Sequence, residues 1–204
     1  METDRVRLLL IGLFVLAALI VVVYVVIGPP GGSACQPSTA GISAPVQNQA
    51  QESVRPAPWG KVPLVDVMSG ESFTISDFYG RKVVVLTFTV SCPVCTAQQR
   101  EIIALNRSSG GDFVFIALDI DPNEESGTVR DHIRENNFTG RYAIAPISLT
   151  SALIREYGIG AATPAAAPTL IICPGGENQM YEGGLKSAAR LKLLLSRCPD
   201  GPGS

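Results

Sequence analysis

Hydrophobic and polar positions occur in distinct blocks along the chain, and the first hydrophobic block is the longest. Residues 8–27 read LLLIGLFVLAALIVVVYVVI without a single charge, which is long enough to cross the hydrocarbon core of a bilayer as a helix. Arg5 and Arg7 precede this run, and the next basic residue is Arg55. Because basic residues favour the cytoplasmic side, we predict a single-pass anchor in the cell membrane. Residues 1–7 would be cytoplasmic, residues 8–27 would contact lipid, and the rest would be extracytoplasmic.

Two other interpretations of the N-terminal segment stay open. Residues 1–34 could be a signal peptide cleaved after Ala34 in the segment GGSAC, although the apolar region of a signal peptide normally has 7–15 residues. Cys35 could instead carry a lipid, although Gly32 stands where the bacterial lipobox usually has leucine. We therefore treat an uncleaved anchor as the main hypothesis.

A polar segment separates this block from the rest of the chain. Residues 28–58 are rich in Gly, Pro, Ser, Ala and Gln, a composition that buries too little apolar surface to offset its ordering entropy. This indicates a disordered, flexible linker, followed by one domain over residues 59–199 and a disordered tail at 200–204.

From Trp59 the pattern changes to alternating strand and helix signals, which is typical of an α/β domain. Continuous β-branched and apolar runs at 82–90 and 112–120 predict central strands covered on both faces. Shorter strands are predicted at 61–67, within 69–73, at 168–173 and within 175–184. Helical spacing predicts helices directly after Cys92, at 125–137, at 148–158 and around 188–198.

Cys92 and Cys95 stand where the strand at 82–90 gives way to a helix. The first turn of a helix has unsatisfied N–H groups and a partial positive charge, so a thiol there loses its proton more easily and becomes reactive. Pro93 fits the first helical turn. A spacing of two residues brings Cys95 within disulfide reach, so Cys92 could attack a substrate disulfide and Cys95 could resolve the intermediate. Pro168, directly before an apolar strand, is predicted to have a cis peptide bond.

These motifs resemble the thioredoxin superfamily, in particular its membrane-tethered TlpA/ResA-like thiol-disulfide oxidoreductases. The resemblance covers about residues 59–198 and implies a thioredoxin-like fold, a central mixed sheet flanked by helices. It implies Cys92 as the nucleophile, Cys95 as the resolving cysteine and Pro168 as the cis-proline facing the disulfide. Pro164, in the alanine-rich run ATPAAAP, is the less favoured candidate for that proline. Two positions depart from the family: Ser91 replaces the usual tryptophan, and Leu86 replaces the buried aspartate of thioredoxin.

The resemblance also implies partners. Protein thiols and disulfides would be the substrates, and a transmembrane electron donor or acceptor would be needed, depending on whether the protein reduces or oxidises. No cofactor and no metal is expected. A formal net charge of −2 gives no indication of a basic surface that would bind nucleic acid.

Other readings of the cysteine pair stay open. Structural zinc needs four ligands, and Cys173, Cys198 and His132 form no second close pair. A peroxiredoxin-like thiol peroxidase is favoured by Thr89, three residues before Cys92, but the proline of that motif falls on Val85. A Sco-like copper-binding chaperone would suit thiolates, yet that family spaces its cysteines by three residues and adds a later histidine.

The remaining chemistry-bearing residues have simpler interpretations. Cys173 and Cys198 lie on apolar faces, where they could be free buried thiols or could pair as a structural disulfide outside the cytoplasm. His132 has no evident partner, so we expect a solvated residue on the surface of its helix.

Overall fold

The structure is a computed structural model that describes residues 57–199. The predicted cytoplasmic segment 1–7, the membrane helix 8–27, most of the linker 28–58 and the tail 200–204 lie outside the described residues. Between residues 57 and 199, no helix is both long and apolar enough to span a membrane.

A five-stranded mixed sheet forms the centre of the domain. Its order is β5-β4-β3-β6-β7, with β3, β4 and β5 parallel and β6 antiparallel to both β3 and β7. A separate two-stranded hairpin joins β1 and β2. The strands are β1 Leu64–Val65, β2 Ser72–Phe73, β3 Lys82–Phe88, β4 Phe113–Asp119, β5 Arg141–Ile144, β6 Thr169–Ile172 and β7 Asn178–Tyr181.

Helices cover both faces of this sheet. They are α1 Pro93–Ser108, α2 Ser126–Glu135, α3 Ile147–Tyr157 and α4 Ala188–Leu195. Short 3₁₀ helices occupy Pro58–Lys61, Ile75–Phe78, Ile159–Ala162 and Pro164–Ala166. The helix α3 is capped by Gly158, whose φ of 85° is a conformation that glycine adopts without strain.

The central strands sort their side chains onto two apolar layers. Alternate residues of β3, such as Leu86 and Phe88, pack with α1, α2 and α4, including Ile102. The intervening residues, such as Val83 and Val85, pack with α3 and the N-terminal 3₁₀ helix. Both faces of β3 are buried, which explains its uninterrupted β-branched sequence. The predicted α/β architecture with a central mixed sheet flanked by helices is confirmed for the described residues.

Details of this architecture differ from the sequence-based predictions. The first predicted strand, 61–67, is a strand only at Leu64–Val65 and follows a 3₁₀ helix. The short edge strand β5 was absent from the prediction, because its four residues are too few to show a periodic pattern of their own. The last helix ends at Leu195, so Cys198 lies in the turn after it.

Candidate redox site

Cys92 and Cys95 lie at the carboxyl end of β3, at the start of α1. Cys92 is the N-cap residue of α1, and its Sγ accepts a hydrogen bond from the Cys95 backbone N–H at 3.2 Å. Pro93 occupies the first helical turn, as predicted from its missing N–H. A backbone donor and the helix dipole both favour negative charge on the Cys92 sulfur. This geometry favours the thiolate form of Cys92.

The two cysteines are joined by a disulfide, with their Cα atoms 5.3 Å apart. Cys92 is partly exposed, whereas Cys95 is 0% exposed and belongs to the core layer beneath α1. An external thiol or disulfide can therefore reach Cys92 but not Cys95. Ser91 and Pro93, on either side of Cys92, are exposed, which leaves the approach to its sulfur open.

The segment before β6 lies against Cys95. The Cys95 Sγ is 3.2 Å from the Pro164 carbonyl oxygen, a contact that becomes an S–H···O hydrogen bond when the disulfide is reduced. Pro168 is buried directly before β6, and its carbonyl accepts the Thr87 backbone N–H at 3.4 Å. The proline whose carbonyl contacts the buried sulfur is thus Pro164 rather than Pro168.

The predicted cis bond at Pro168 is wrong in this structure, because residues 57–199 contain no cis peptide bond. The chain instead changes direction at Ala167, which has a left-handed backbone with φ 43° and ψ 55°. The Ala167 N–H donates to the Pro164 carbonyl at 2.8 Å, so this turn is closed by a backbone hydrogen bond.

A buried acid lies beside the segment that leads into Cys92. Asp119 ends β4 opposite Phe88 and is 0% exposed. Its Oδ1 accepts the Asp121 N–H at 2.8 Å, whereas its Oδ2 has no hydrogen-bond partner among the described residues. Burial raises the pKa of this carboxyl to about 7; the Asp121 N–H offsets part of that effect, and the negative charges of Glu124 and Asp121 add to it. Leu86, where thioredoxin has its acid, is fully buried and apolar.

His132 is buried, which contradicts the expected solvated position. It is 6% exposed, stacks against Phe88, and its Nε2 is 3.4 Å from the Gln99 Nε2. The Gln99 Oε1 accepts the Tyr142 hydroxyl at 2.9 Å, so the amide N–H faces the histidine and requires a neutral ring. Burial lowers the pKa of His132, which also favours the neutral form.

The remaining predicted cysteines are joined in the structure. Cys173 follows β6 and Cys198 follows α4, with their Cα atoms 5.2 Å apart and a sequence separation of 25. The bond links the end of the central sheet to the last helix. Among residues 57–199, no group of three or more His, Cys, Asp or Glu side chains could hold a metal ion.

Sequence reasoning preferred Pro168 to Pro164 as the proline beside the disulfide, and it missed Asp119 and Lys186 as neighbours of this site. Asp119 gave one usable signal, since it is an acid at the end of an apolar strand run. Lys186 gave none, because only the fold brings its segment to α1.

Known proteins resemble this chain in sequence family and in fold. A family model described as Redoxin matches residues 46–173. A search of curated proteins gives no match.

Solved structures similar to this one include a thiol:disulfide interchange protein of the thioredoxin family from Chlorobium tepidum TLS. It is 20% identical, with a TM-score of 0.57 over 71% of this chain and 97% of that chain. A secreted Mycobacterium tuberculosis disulfide oxidoreductase homologous to E. coli DsbE is 12% identical, with a TM-score of 0.52 over 68% of this chain and 96% of that chain. BsSco, of the Sco family of cytochrome c oxidase assembly proteins, is 10% identical, with a TM-score of 0.57 over 72% and 92%. At these identities the likeness shows a shared fold.

Proposed function

Because this chain belongs to the redoxin family and has a thioredoxin-like fold, we propose that it is a thiol-disulfide oxidoreductase that works outside the cytoplasm on an N-terminal membrane anchor. In this proposal Cys92 and Cys95 exchange a dithiol and a disulfide with protein substrates. The observation that carries it is the contrast between a partly exposed Cys92 at a helix N-terminus and a fully buried Cys95.

The exchange takes two steps in the reducing direction. The Cys92 thiolate attacks one sulfur of a substrate disulfide, forming a Cys92–substrate bond while the substrate S–S bond breaks and its other sulfur leaves as a thiolate. Cys95 gives its proton to the substrate thiolate released in the first step, and its own thiolate then attacks the Cys92 Sγ, which breaks the Cys92–substrate bond and releases the second substrate thiolate. The substrate gains two electrons and the Cys92–Cys95 pair loses them; the reverse sequence oxidises a substrate dithiol.

Trapping the mixed disulfide tests this assignment. In a Cys35→Ser background, the Cys95→Ser variant should accumulate a mixed disulfide between Cys92 and insulin, and Cys92→Ser should form none. A Cys173→Ser/Cys198→Ser double variant serves as the control and should keep insulin reductase activity. Equal trapping by Cys92→Ser and Cys95→Ser would contradict the proposed roles.

The membrane anchor rests on the uncharged run at 8–27 and on Arg5 and Arg7 before it. A domain outside the cytoplasm would exchange electrons with a transmembrane donor or acceptor. To test the topology, intact cells are reduced and treated with a maleimide that cannot cross membranes. Labelling of Cys92 before lysis is expected; labelling only after lysis would refute the proposed orientation.

A thiol peroxidase is the second candidate, and Thr89 is the residue that favours it. In that reaction the Cys92 thiolate attacks one oxygen of hydrogen peroxide, the O–O bond breaks, the other oxygen leaves as hydroxide and becomes water, and Cys92 becomes a sulfenic acid. Stopped-flow mixing with hydrogen peroxide distinguishes the two functions. Rapid consumption of one peroxide per Cys95→Ser molecule would favour the peroxidase, and slow, substoichiometric consumption would favour disulfide exchange.

A further inference from the structure

Lys186 is a buried lysine close to the redox site. Its side chain is in the interior, with the residue 7% exposed, and its Nζ donates to the carbonyl oxygens of Ala167 at 2.9 Å and Gly184 at 2.7 Å. Among the ion pairs of residues 57–199, none involves Lys186. A buried cation without a carboxylate partner is unfavourable unless polar groups surround it. Packing alone therefore does not account for a lysine at this position.

The backbone of Lys186 is attached to the redox helix α1. Gln98, three residues after Cys95, donates from Nε2 to the Lys186 carbonyl at 3.0 Å and accepts the Lys186 N–H on Oε1 at 2.6 Å. Gln98 is itself 0% exposed. This double hydrogen bond fixes the root of the lysine side chain relative to the first turns of α1.

The other end of Lys186 reaches the segment that contacts Cys95. Ala167, whose carbonyl accepts the ammonium, donates its N–H to the Pro164 carbonyl, and that carbonyl is the one 3.2 Å from the Cys95 Sγ. A second link runs from the Gly184 N–H to the Ala166 carbonyl at 2.9 Å. Contacts therefore lead from α1 through Gln98, Lys186 and Ala167 back to the buried sulfur.

We propose that Lys186 is a positioning residue of the redox site. It holds the segment 164–168 against Cys95, and its buried positive charge stabilises the Cys92 thiolate that forms when the Cys92–Cys95 disulfide is reduced. This inference rests on the proposed disulfide exchange, in which that thiolate is the reactive species. Lys186 also supplies a charged group near a site where Leu86 replaces the buried acid of thioredoxin.

Two effects act on the charge of Lys186 itself. Burial lowers its pKa, and the negative charge of Glu182 opposes that effect. Glu182 is exposed, so water screens its charge. We therefore expect the positive charge of Lys186 to have a larger electrostatic effect on the buried side of the segment 164–168 than the negative charge of Glu182.

Replacing the charge tests the proposal. In the full chain with Cys35→Ser, solubilised in detergent, Lys186→Met should raise the Cys92 thiol pKa by roughly half to one unit. The readout is the pH dependence of iodoacetamide alkylation, followed on the Cys92 peptide by mass spectrometry. The equilibrium with glutathione should shift about threefold to tenfold toward the disulfide, and tenfold corresponds to about 30 mV.

Two matched variants separate charge from packing. Lys186→Arg keeps the charge and should stay near the parent in both measurements, whereas Lys192→Met removes an exposed lysine of α4 and should change neither. Should Lys186→Met fail to fold, Lys186→Gln replaces it, since its amide can donate to the same carbonyl groups without charge.

An unchanged alkylation profile and glutathione equilibrium in Lys186→Met, or equal shifts in Lys186→Met and Lys186→Arg, would overturn the proposal. Both readouts use only small thiol reagents and need no protein substrate. Failure of the insulin assay would count against the proposed function alone, and the Lys186 measurements would remain valid.

Discussion

Replacing Asp119 with asparagine tests whether this buried carboxyl keeps its proton near neutral pH. The side chain is 0% exposed, its Oδ2 has no hydrogen-bond partner among residues 57–199, and burial raises its pKa to about 7. Asparagine has nearly the same shape and cannot ionise. The substitution therefore removes the titration while leaving the volume of the side chain almost unchanged.

The size and sign of the effect follow from linkage. An unfolded chain loses the aspartate proton with a pKa near 3.9, and each unit of pKa difference is worth about 1.4 kcal/mol. Between that value and about 7 the folded state keeps the proton and the unfolded state does not, so stability falls as pH rises. The total loss is at most about 4 kcal/mol, of which about 2 to 3 kcal/mol falls between pH 5 and pH 8.

Urea denaturation at these two pH values measures the effect, with fluorescence of Trp59, the single tryptophan of the chain, as the probe. The free energy of unfolding of Asp119→Asn, relative to the parent, should rise by about 2 to 3 kcal/mol from pH 5 to pH 8. Asp131→Asn is the control, because it removes the same charge from an exposed carboxylate of α2. A difference that stays within about 0.5 kcal/mol would show that Asp119 titrates like an exposed acid, and the reasoning would fail.

Three further predictions concern stability. The Cys173→Ser/Cys198→Ser variant should lose about 3.5 kcal/mol in non-reducing urea melts, from the loop entropy of a 25-residue separation; a loss below about 1 kcal/mol would contradict this. Gly140→Ala should lose roughly 2–4 kcal/mol, because its Cβ would lie 2.8 Å from the Phe115 ring at a φ of +128°. Gly70→Ala, with a φ of +76° and open space around it, should lose clearly less, and an equal loss would rule out the clash. Between pH 7 and pH 5, His132→Gln should lose less stability than the parent. Burial lowers the histidine pKa, so the unfolded chain binds the proton first and acid destabilises the folded parent. Free energies of unfolding that fall equally with pH in both proteins would refute this.

Local sequence patterns were sufficient to predict the central strand β3, the cysteine pair and the helix α1 that follows it. The uninterrupted apolar run of β3, the proline and cysteines that follow it and the spacing of α1 are all properties of neighbouring residues. A strand covered on both faces needs such a run, and a helix that begins with Cys92 and Pro93 presents Cys92 at its N-terminus. The thioredoxin superfamily was predicted from these residues, and the family match and the fold confirm it.

The surroundings of the cysteine pair depended on contacts between distant parts of the chain. Gln98 and Lys186 are separated by 88 residues, and neither stands in a motif. Asp119 gains its unusual pKa from burial against the end of β3, and His132 is buried by Phe88 and Gln99, which lie on other elements. Sequence spacing could not distinguish Pro164 from Pro168 as the residue beside Cys95, since the choice depends on how the backbone turns at Ala167.

The sequence by itself thus determined which residues can carry the redox chemistry, because a thiol at the start of a helix is defined by its immediate neighbours. Only the tertiary structure decided the electrostatic environment of that chemistry. Burial and charge at a site depend on every segment packed against it, and here those segments are the turn before β6, the end of β4 and the loop that carries Lys186.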